Sequence, residues 1–387
     1  MTNPRPLENV SVLDFTRVLS GPYCTVLMAD LGADVIKVES GEGDDYRHVG
    51  PFVEGESALF DALNRGKRSI ALDLRTPSAI AAVRRLARRA DVLVENFRPG
   101  VMDRLGLGWE TLSASNPRLV YVSISGFGHT GPNIQTPAYD VIIQALSGIM
   151  HVTGDPAGPP TMIGEAIGDV AAGLFAAWGT AVALFDRERT GLGRHVDLAM
   201  FDALLAFMPT LAARHLLAGE EPTRVGNRHP LSAPFGVYRA GDGHFAVAVL
   251  NDRLFARFSE VIERPEMASE QRFSSDSLRF QNESALADAI EGWAAQRTAA
   301  QAVTALSSAG VPAATIASLT QAWQSQQAEE RGLWSVVGHE TRGELRVPEQ
   351  PVHFSGAPRG VRSRAPRLDE HKQDILGEDG AESQDDE

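Results

Sequence analysis

Cysteine is almost absent: the 387 residues contain one, Cys24. A single thiol excludes an internal disulfide framework and any cysteine-based zinc knuckle, and it suits a reducing compartment, so a cytoplasmic protein is expected. No His or Asp stands close enough in sequence to activate it, and Cys24 reads as a small buried hydrophobe on a helix. Positive charge is also scarce. The formal net charge of −14 argues against nucleic acid or an anionic membrane as partner. Six acids fall within residues 378–387, a polar tail expected to be disordered, so the folded body is less acidic than the total. An anionic ligand would have to be met by local Arg and Lys clusters. Long apolar runs are lacking too. The longest, residues 170–185, spans 16 positions and ends in Asp186, Arg187, Glu188 and Arg189. It falls short of the ~20 residues a membrane helix needs, and a buried core helix is expected. Residues 1–6 carry no signal-peptide pattern, and no metal-ligand spacing occurs.

What is present is ordinary globular composition, 43% hydrophobic and 22% charged, at a length that suits one large α/β domain plus a second lobe. Apolar runs at residues 10–15, 35–39, 69–74, 92–95 and 119–125 alternate with amphipathic stretches at 23–31 and 78–90. That alternation predicts a mostly parallel sheet covered on both faces. Thr76 and Pro77 form a helix start. Arg84, Arg85, Arg88 and Arg89 fall on adjoining helical positions and read as a solvated face with no site.

A helix is predicted from Asp169 to residue 185. Gly173, Ala176, Ala177 and Gly179 keep it slim, so something must pack closely against it. A second helix is predicted over 200–217, with Gly219 as its stop. Proline-rich residues 222–234 read as a linker. Residues 225–325 then form a small domain, with a hairpin about Gly241 to Gly243 and helices at 254–262, 284–296 and 299–309. The large domain takes 1–224 and a return segment, 326–377.

After the strand at 119–125 the chain reads Gly126-Phe127-Gly128-His129-Thr130-Gly131, the letters of a dinucleotide-binding turn. That turn works by pointing a helix N-terminus at a pyrophosphate. Pro132 follows at once and biases Gly131 away from helix, and Asp155, the acid nearest the ribose-binding spacing, sits in a proline-rich loop. A nicotinamide dehydrogenase is therefore disfavoured, and the glycines suit a backbone loop that closes over a substrate.

Several stretches together resemble the class III coenzyme A transferase family, in family order from about Leu7 to Leu376. They are Val12 to Asp14 with Ser20-Gly21-Pro22, the stretch Leu31 to Glu39, Asn64 to Ser69, Asp91 to Gly100, Gly126 to Pro132, and Gly168-Asp169 ahead of a small-residue helix. The resemblance implies an α/β fold with a Rossmann-like large domain, a smaller α+β domain and an interlocked homodimer. It also implies Asp169 as the nucleophile that attacks a donor thioester. The position agrees physically: a carboxylate in the first turn of a helix meets the positive end of the macrodipole, which favours its ionised form, although a simple helix cap would place an aspartate there too.

A carboxylate nucleophile lets an acid and a thioester exchange through a mixed anhydride and an aspartyl-coenzyme A thioester, with no permanently bound cofactor. By resemblance, Val18, Leu19, Leu72, Arg75, Asn96, Phe97, Arg98, Arg104 and Ala138 lie along coenzyme A. Tyr139 and Asp140 lie near the thioester. The partners implied are an acyl-coenzyme A, of which succinyl-coenzyme A is expected, a carboxylic acid expected to be a dicarboxylate, and a second copy of the chain.

Formyl-using members carry a run of glycines in the second domain that is missing at residues 227–236, which disfavours formate and oxalate. Ser40 stands where some relatives have arginine, and Asp369 replaces a glycine of a C-terminal segment. The nearest rival is an α-methylacyl-coenzyme A racemase. Its two acid–base groups include a histidine where this chain has Tyr139, a weak acid near pKa 10. A non-catalytic coenzyme A-binding protein is the other alternative.

Overall fold

The structure, a computed structural model, describes residues 4–381. Six strands form the central sheet: β1 Ser11–Asp14, β2 Asp34–Glu39, β3 Arg68–Ala71, β4 Val92–Glu95, β5 Val120–Ser125 and β6 His195–Ala199. All pair in parallel, in the order β3-β2-β1-β4-β5-β6. Five coincide with the apolar runs of the sequence. The sixth does not, because β6 is only partly buried and carries His195 and Asp197 among its apolar residues.

The flanking helices are α1 Ser20–Asp30, α2 Pro77–Arg89, α3 Asp140–Leu146, α4 Ile167–Thr190 and α5 Met200–Ala206. Thr76 caps α2, its side chain accepting from Ala79 N–H. That helix buries Val83, Leu86 and Ala87 in a core with Leu13, Ile36, Leu93 and Tyr121 from one sheet face. The alternate residues Val12, Val92, Val94 and Val122 are also buried and face the other side, which α1 and α4 cover. The close partner expected for the slim helix is α1: a Cβ at Gly173 would lie 2.5 Å from the Ser20 carbonyl oxygen.

Two of the expected helices need correction. The helix expected over 200–217 is broken, with α5 ending at Ala206 and separate turns running Pro209–Ala212 and Ala213–Leu217, because Pro209 cannot supply the next backbone hydrogen bond. The helix expected from Asp169 to residue 185 runs 24 residues. By length and composition alone α4 could cross a membrane, so its length does not exclude that. Its buried small-residue face against α1 and its charged ends are the features of a core helix.

The chain divides into two compact units. The first holds the sheet, residues Met162–Glu220, and the chain from Gln327 onward, including the hairpin β10 Trp334–His339 and β11 Gly343–Pro348 and the helix α9 Lys372–Ala381. The second comprises Met150–Thr161 and Glu221–Gln326. It carries the antiparallel strands β7 Phe235–Arg239, β8 His244–Ala248 and β9 Ala313–Thr315 with helices α6 Asp252–Val261, α7 Glu283–Ala294 and α8 Ala299–Ser308. Its own core is built on Tyr238, Phe245, Phe258 and Ile290.

Residues 150–161, read with the first domain from sequence, belong to this second unit. Arg224 donates to the His151 carbonyl (2.9 Å) and Gly226 N–H to the Gly154 carbonyl (3.1 Å). Helix α9 reaches into the segment expected to be a disordered tail. Residues 382–387 of that tail lie outside the described residues.

Candidate functional site

The motif residues of β1 and of residues 64–69 converge beneath the first βα turn. Asp14 Oδ2 accepts from Lys67 Nζ (2.9 Å) and from the Thr25 hydroxyl (2.7 Å), and Lys67 also donates to Asn64 Oδ1 (2.9 Å). Asp14 Oδ1 accepts from Thr16 N–H at 2.9 Å. Burial pushes the Asp14 carboxyl up, but the Lys67 and Lys37 charges and the Thr16 and Lys67 hydrogen bonds outweigh it and hold the group at about 2. Lys37, fully buried, donates to the Thr16 carbonyl (2.8 Å) and pairs with Asp44 (2.8 Å). Asp44 in turn accepts from Val18 N–H at 3.0 Å. Val18 is a β-branched residue at φ 68°, a conformation that persists only where surrounding bonds impose it. These buried charges therefore hold the loop of residues 15–19 rigid.

That loop follows β1, and residues 96–100 follow β4. The strand order reverses between these two strands, and in open parallel sheets a ligand binds in the crevice beyond the strand ends at such a reversal. A cavity of about 290 Å³ lies there. Of the residues expected to contact substrate, Val18, Asn96, Phe97, Arg98, Ala138, Tyr139 and Asp169 line it. The structure does not bring the others to its wall. Leu19 is the N-cap of α1 and Leu72 is buried after β3. Asn96 also has a structural task, since its amide bonds the Arg17 backbone on both sides (2.9 and 2.8 Å).

Arg75 and Arg104 lie with Arg84, Arg85 and Arg88 around a second, open basin of about 640 Å³. The arginine face read as solvated and the arginines assigned to the nucleotide therefore share one surface. The glycine-rich loop at 126–131 leads into no helix. Gly126 is needed because a Cβ there would meet the Ala138 methyl at 2.4 Å.

Asp169 sits in the first turn of α4. Asp140 Oδ1 accepts from Gly168 N–H (2.7 Å) and Oδ2 from Gln144 Nε2 (2.7 Å), so Asp140 braces that turn and leaves the wall of the cavity to Tyr139. Burial raises the Asp169 carboxyl to about 6, the Asp140 charge adds to the rise, and hydrogen bonds from the Ser20 hydroxyl and N–H oppose it. The helix-terminus argument expected the ionised form to be favoured. Burial outweighs it, because desolvating a carboxylate costs more than the ~0.3–1 kcal/mol a helix end supplies. Cys24, by contrast, is pushed up to about 12, chiefly by burial, and is no nucleophile.

Ser20 and Arg17 were not assigned a role from sequence, although Ser20 stands in a quoted motif. Tyr46 was missed as well. Burial and then the Asp169 charge raise its phenol, which puts it within electrostatic reach of that carboxylate. No sequence signal marks Arg17 or Tyr46, since their relation to Asp169 exists only once β1 and α4 are packed.

A parallel doubly wound sheet with a partly buried carboxylate of raised pKa in the cavity at the point of strand reversal is the arrangement of an α/β enzyme whose ligand is held by the switch-point loops. The particular family follows from comparison: the chain matches CoA-transferase family III over residues 7–372 and belongs to that family. It is 44% identical to an acetyl-CoA:oxalate CoA-transferase of Acetobacter aceti, covering 94% of this chain and 93% of that one. It is 38% identical to a succinyl-CoA–D-citramalate CoA-transferase of Chloroflexus aurantiacus (96% and 94%).

Among solved structures, a CAIB/BAIF family protein from Brucella suis superposes with a TM-score of 0.86 at 40% identity, covering 97% of this chain and 100% of that one. The chain is thus an enzyme that transfers coenzyme A between an acyl-coenzyme A and a carboxylic acid, with coenzyme A and its thioesters entering as substrates. Among the described residues, no three His, Cys, Asp or Glu side chains converge so as to hold a metal ion.

Proposed function

We propose that the enzyme moves coenzyme A from succinyl-coenzyme A to a small dicarboxylic acid, with Asp169 as covalent nucleophile. The observation that carries this reading is the Asp169 carboxylate itself, partly buried in the wall of the switch-point cavity beside the Ser20 hydroxyl and N–H. One Asp169 oxygen attacks the thioester carbonyl, the C–S bond breaks, and the thiolate leaves a mixed anhydride. The thiolate then attacks the Asp169 carbonyl, expels the donor carboxylate and forms an aspartyl-coenzyme A thioester. An acceptor carboxylate reverses the sequence on its own carbon, and the net exchange moves no proton.

Arg98 meets the pantetheine end. Arg75 and Arg104, with Arg84 and Arg88 beside them, meet the phosphates, for which guanidinium forks are suited. The acids named for several relatives (oxalate, D-citramalate, mesaconate and glutarate) are all dicarboxylic and support that acceptor class. The Acetobacter aceti relative favours a second reading, acetyl-coenzyme A with oxalate, even though the missing glycine run argued against oxalate.

A homodimer of interlocked chains in the cytoplasm completes the proposal. Support for self-association comes from Leu174, Trp178, Val182 and Phe185, which form an exposed apolar stripe along α4. To test the reaction, enzyme is mixed with succinyl-coenzyme A alone, trapped with hydroxylamine or borohydride, and mapped by mass spectrometry. Label at Asp169, with transfer abolished in Asp169→Asn and Asp169→Ala while both still bind coenzyme A, is expected. Label elsewhere, or an Asp169→Asn enzyme that transfers without deamidating, refutes the nucleophile. Proton exchange into a 2-methylacyl-coenzyme A without acid exchange would favour the racemase instead.

A further inference from the structure

Resting on the transferase reading above, we infer that Arg17 binds the remote carboxylate of a dicarboxylic substrate and sets the preference for diacids over monoacids. A diacid reacting at Asp169 carries its second carboxylate into the cavity, where leaving it without a counter-charge would be costly. Two cations line that cavity, Arg17 and Arg98. Arg98 lies on the segment that runs on into the short helix Val101–Arg104 and the arginine basin, the side suited to phosphates. Arg17 lies three residues before Ser20, which lines the cavity with Asp169 and whose N–H and hydroxyl lower that carboxyl's pKa, so its backbone is at most ~11 Å from that of Ser20.

Its surroundings have the form of a pre-organised receptor. The backbone at Arg17 is fixed by the Asn96 amide on both sides, and its neighbours by Lys37 at the Thr16 carbonyl and by Asp44 at Val18 N–H. The side chain above this frame is half-exposed, with its guanidinium carbon 5.4 Å from the centre of the Phe97 ring and one nitrogen 3.6 Å from Asp45. Both members of that ion pair are well exposed, so the pair is weak and solvent-screened, and an incoming carboxylate can replace Asp45 on the guanidinium fork. A fixed backbone beneath a replaceable ion pair distinguishes Arg17 from the buried arginines of this fold, whose bonds are committed.

The test compares glutarate with valerate, acids of equal length that differ in the second carboxylate, as acceptors for the unsubstituted enzyme, Arg17→Gln and Arg17→Lys. In a ping-pong reaction kcat/KM for the acceptor reports only the half-reaction after the aspartyl thioester has formed. In Arg17→Gln, kcat/KM for glutarate is expected to fall ~10–100-fold, mainly through KM, as for loss of a charge-assisted contact. Valerate and the Kd for free coenzyme A should change less than about twofold by the same reasoning, and Arg17→Lys should recover part of the loss. Equal losses for both acids, an unchanged glutarate KM, or a matching loss of coenzyme A affinity, which would make Arg17 a phosphate contact, overturns the inference. The Asp169 thioester is trapped in every variant. Its absence from the unsubstituted enzyme defeats the transferase reading, whereas its presence with unaltered acid preference defeats the Arg17 assignment alone.

Discussion

Burial gives Asp169 two measurable signatures. Its carboxyl is raised from an ordinary 3.8 to about 6, yet the proposed nucleophile is the ionised form. Formation of the aspartyl thioester should therefore fall as pH drops through about 6, approaching tenfold per pH unit below it; single-turnover rates between pH 5 and 8 would reveal this. Stability should move the other way. A folded-state pKa above the unfolded one means the native protein binds the proton more tightly, so the ionised side chain destabilises the fold above about 6 and ceases to do so below about 4. Asp169→Asn should thus be more stable than the parent at pH 8 by up to ~3 kcal/mol, and this gain should vanish near pH 4. Urea unfolding at the two pH values checks it, and a variant less stable at pH 8 would mean that the Ser20 hydrogen bonds outweigh the desolvation.

Strand β3 is an edge of the central sheet, and its free side is covered by the returning chain end. Ala71 N–H donates to Asp369 Oδ1 (2.7 Å), His371 N–H to the Ser69 carbonyl (3.0 Å), and Lys372 Nζ to the Ala71 carbonyl (2.9 Å). Covering an edge this way removes a template for aggregation. Asp369 has φ 64°, which explains how it can stand where the family resemblance expects glycine: the backbone is left-handed, and the carboxylate adds a bond to β3. Asp369→Ala keeps the strained backbone and loses the bond, and should cost ~1–3 kcal/mol, whereas Asp369→Gly relieves the strain and should cost less. Thermal unfolding of the two variants ranks them, and equal losses would assign the effect to the hydrogen bond alone.

A chain that leaves Trp178, Val182 and Phe185 exposed on its longest helix has apolar surface to cover by association. The native protein should scatter light as a dimer at low micromolar concentration. Trp178→Glu combined with Phe185→Glu should shift it towards monomer or aggregate without disturbing the sheet, because both side chains lie outside the buried core. An unaltered dimer would place the interface elsewhere.

The parallel sheet, the cap at Thr76, the hairpin of the second unit and the helix start that carries Asp169 were legible in the sequence, because each rests on local periodicity, a cap or turn signal, or a motif carried in family order. Strand β6 was not, since a partly buried strand has no continuous apolar run, and residues 150–161 were misassigned because their partners lie some seventy positions away. The site's chemistry depended still more on packing. Motif letters such as Asp14, Lys37 and Lys67 gave no hint that they form a buried ionic frame under the substrate loop, and the arginine face of α2 could not be joined to Arg75 and Arg104 until the chain was folded. Sequence alone thus determined the fold class and singled out the carboxylate proposed to react. Only the tertiary structure decided the protonation of Asp169, the donors that hold it, and which cations face it, because desolvation and charge proximity depend on distances between segments that the order of residues does not contain.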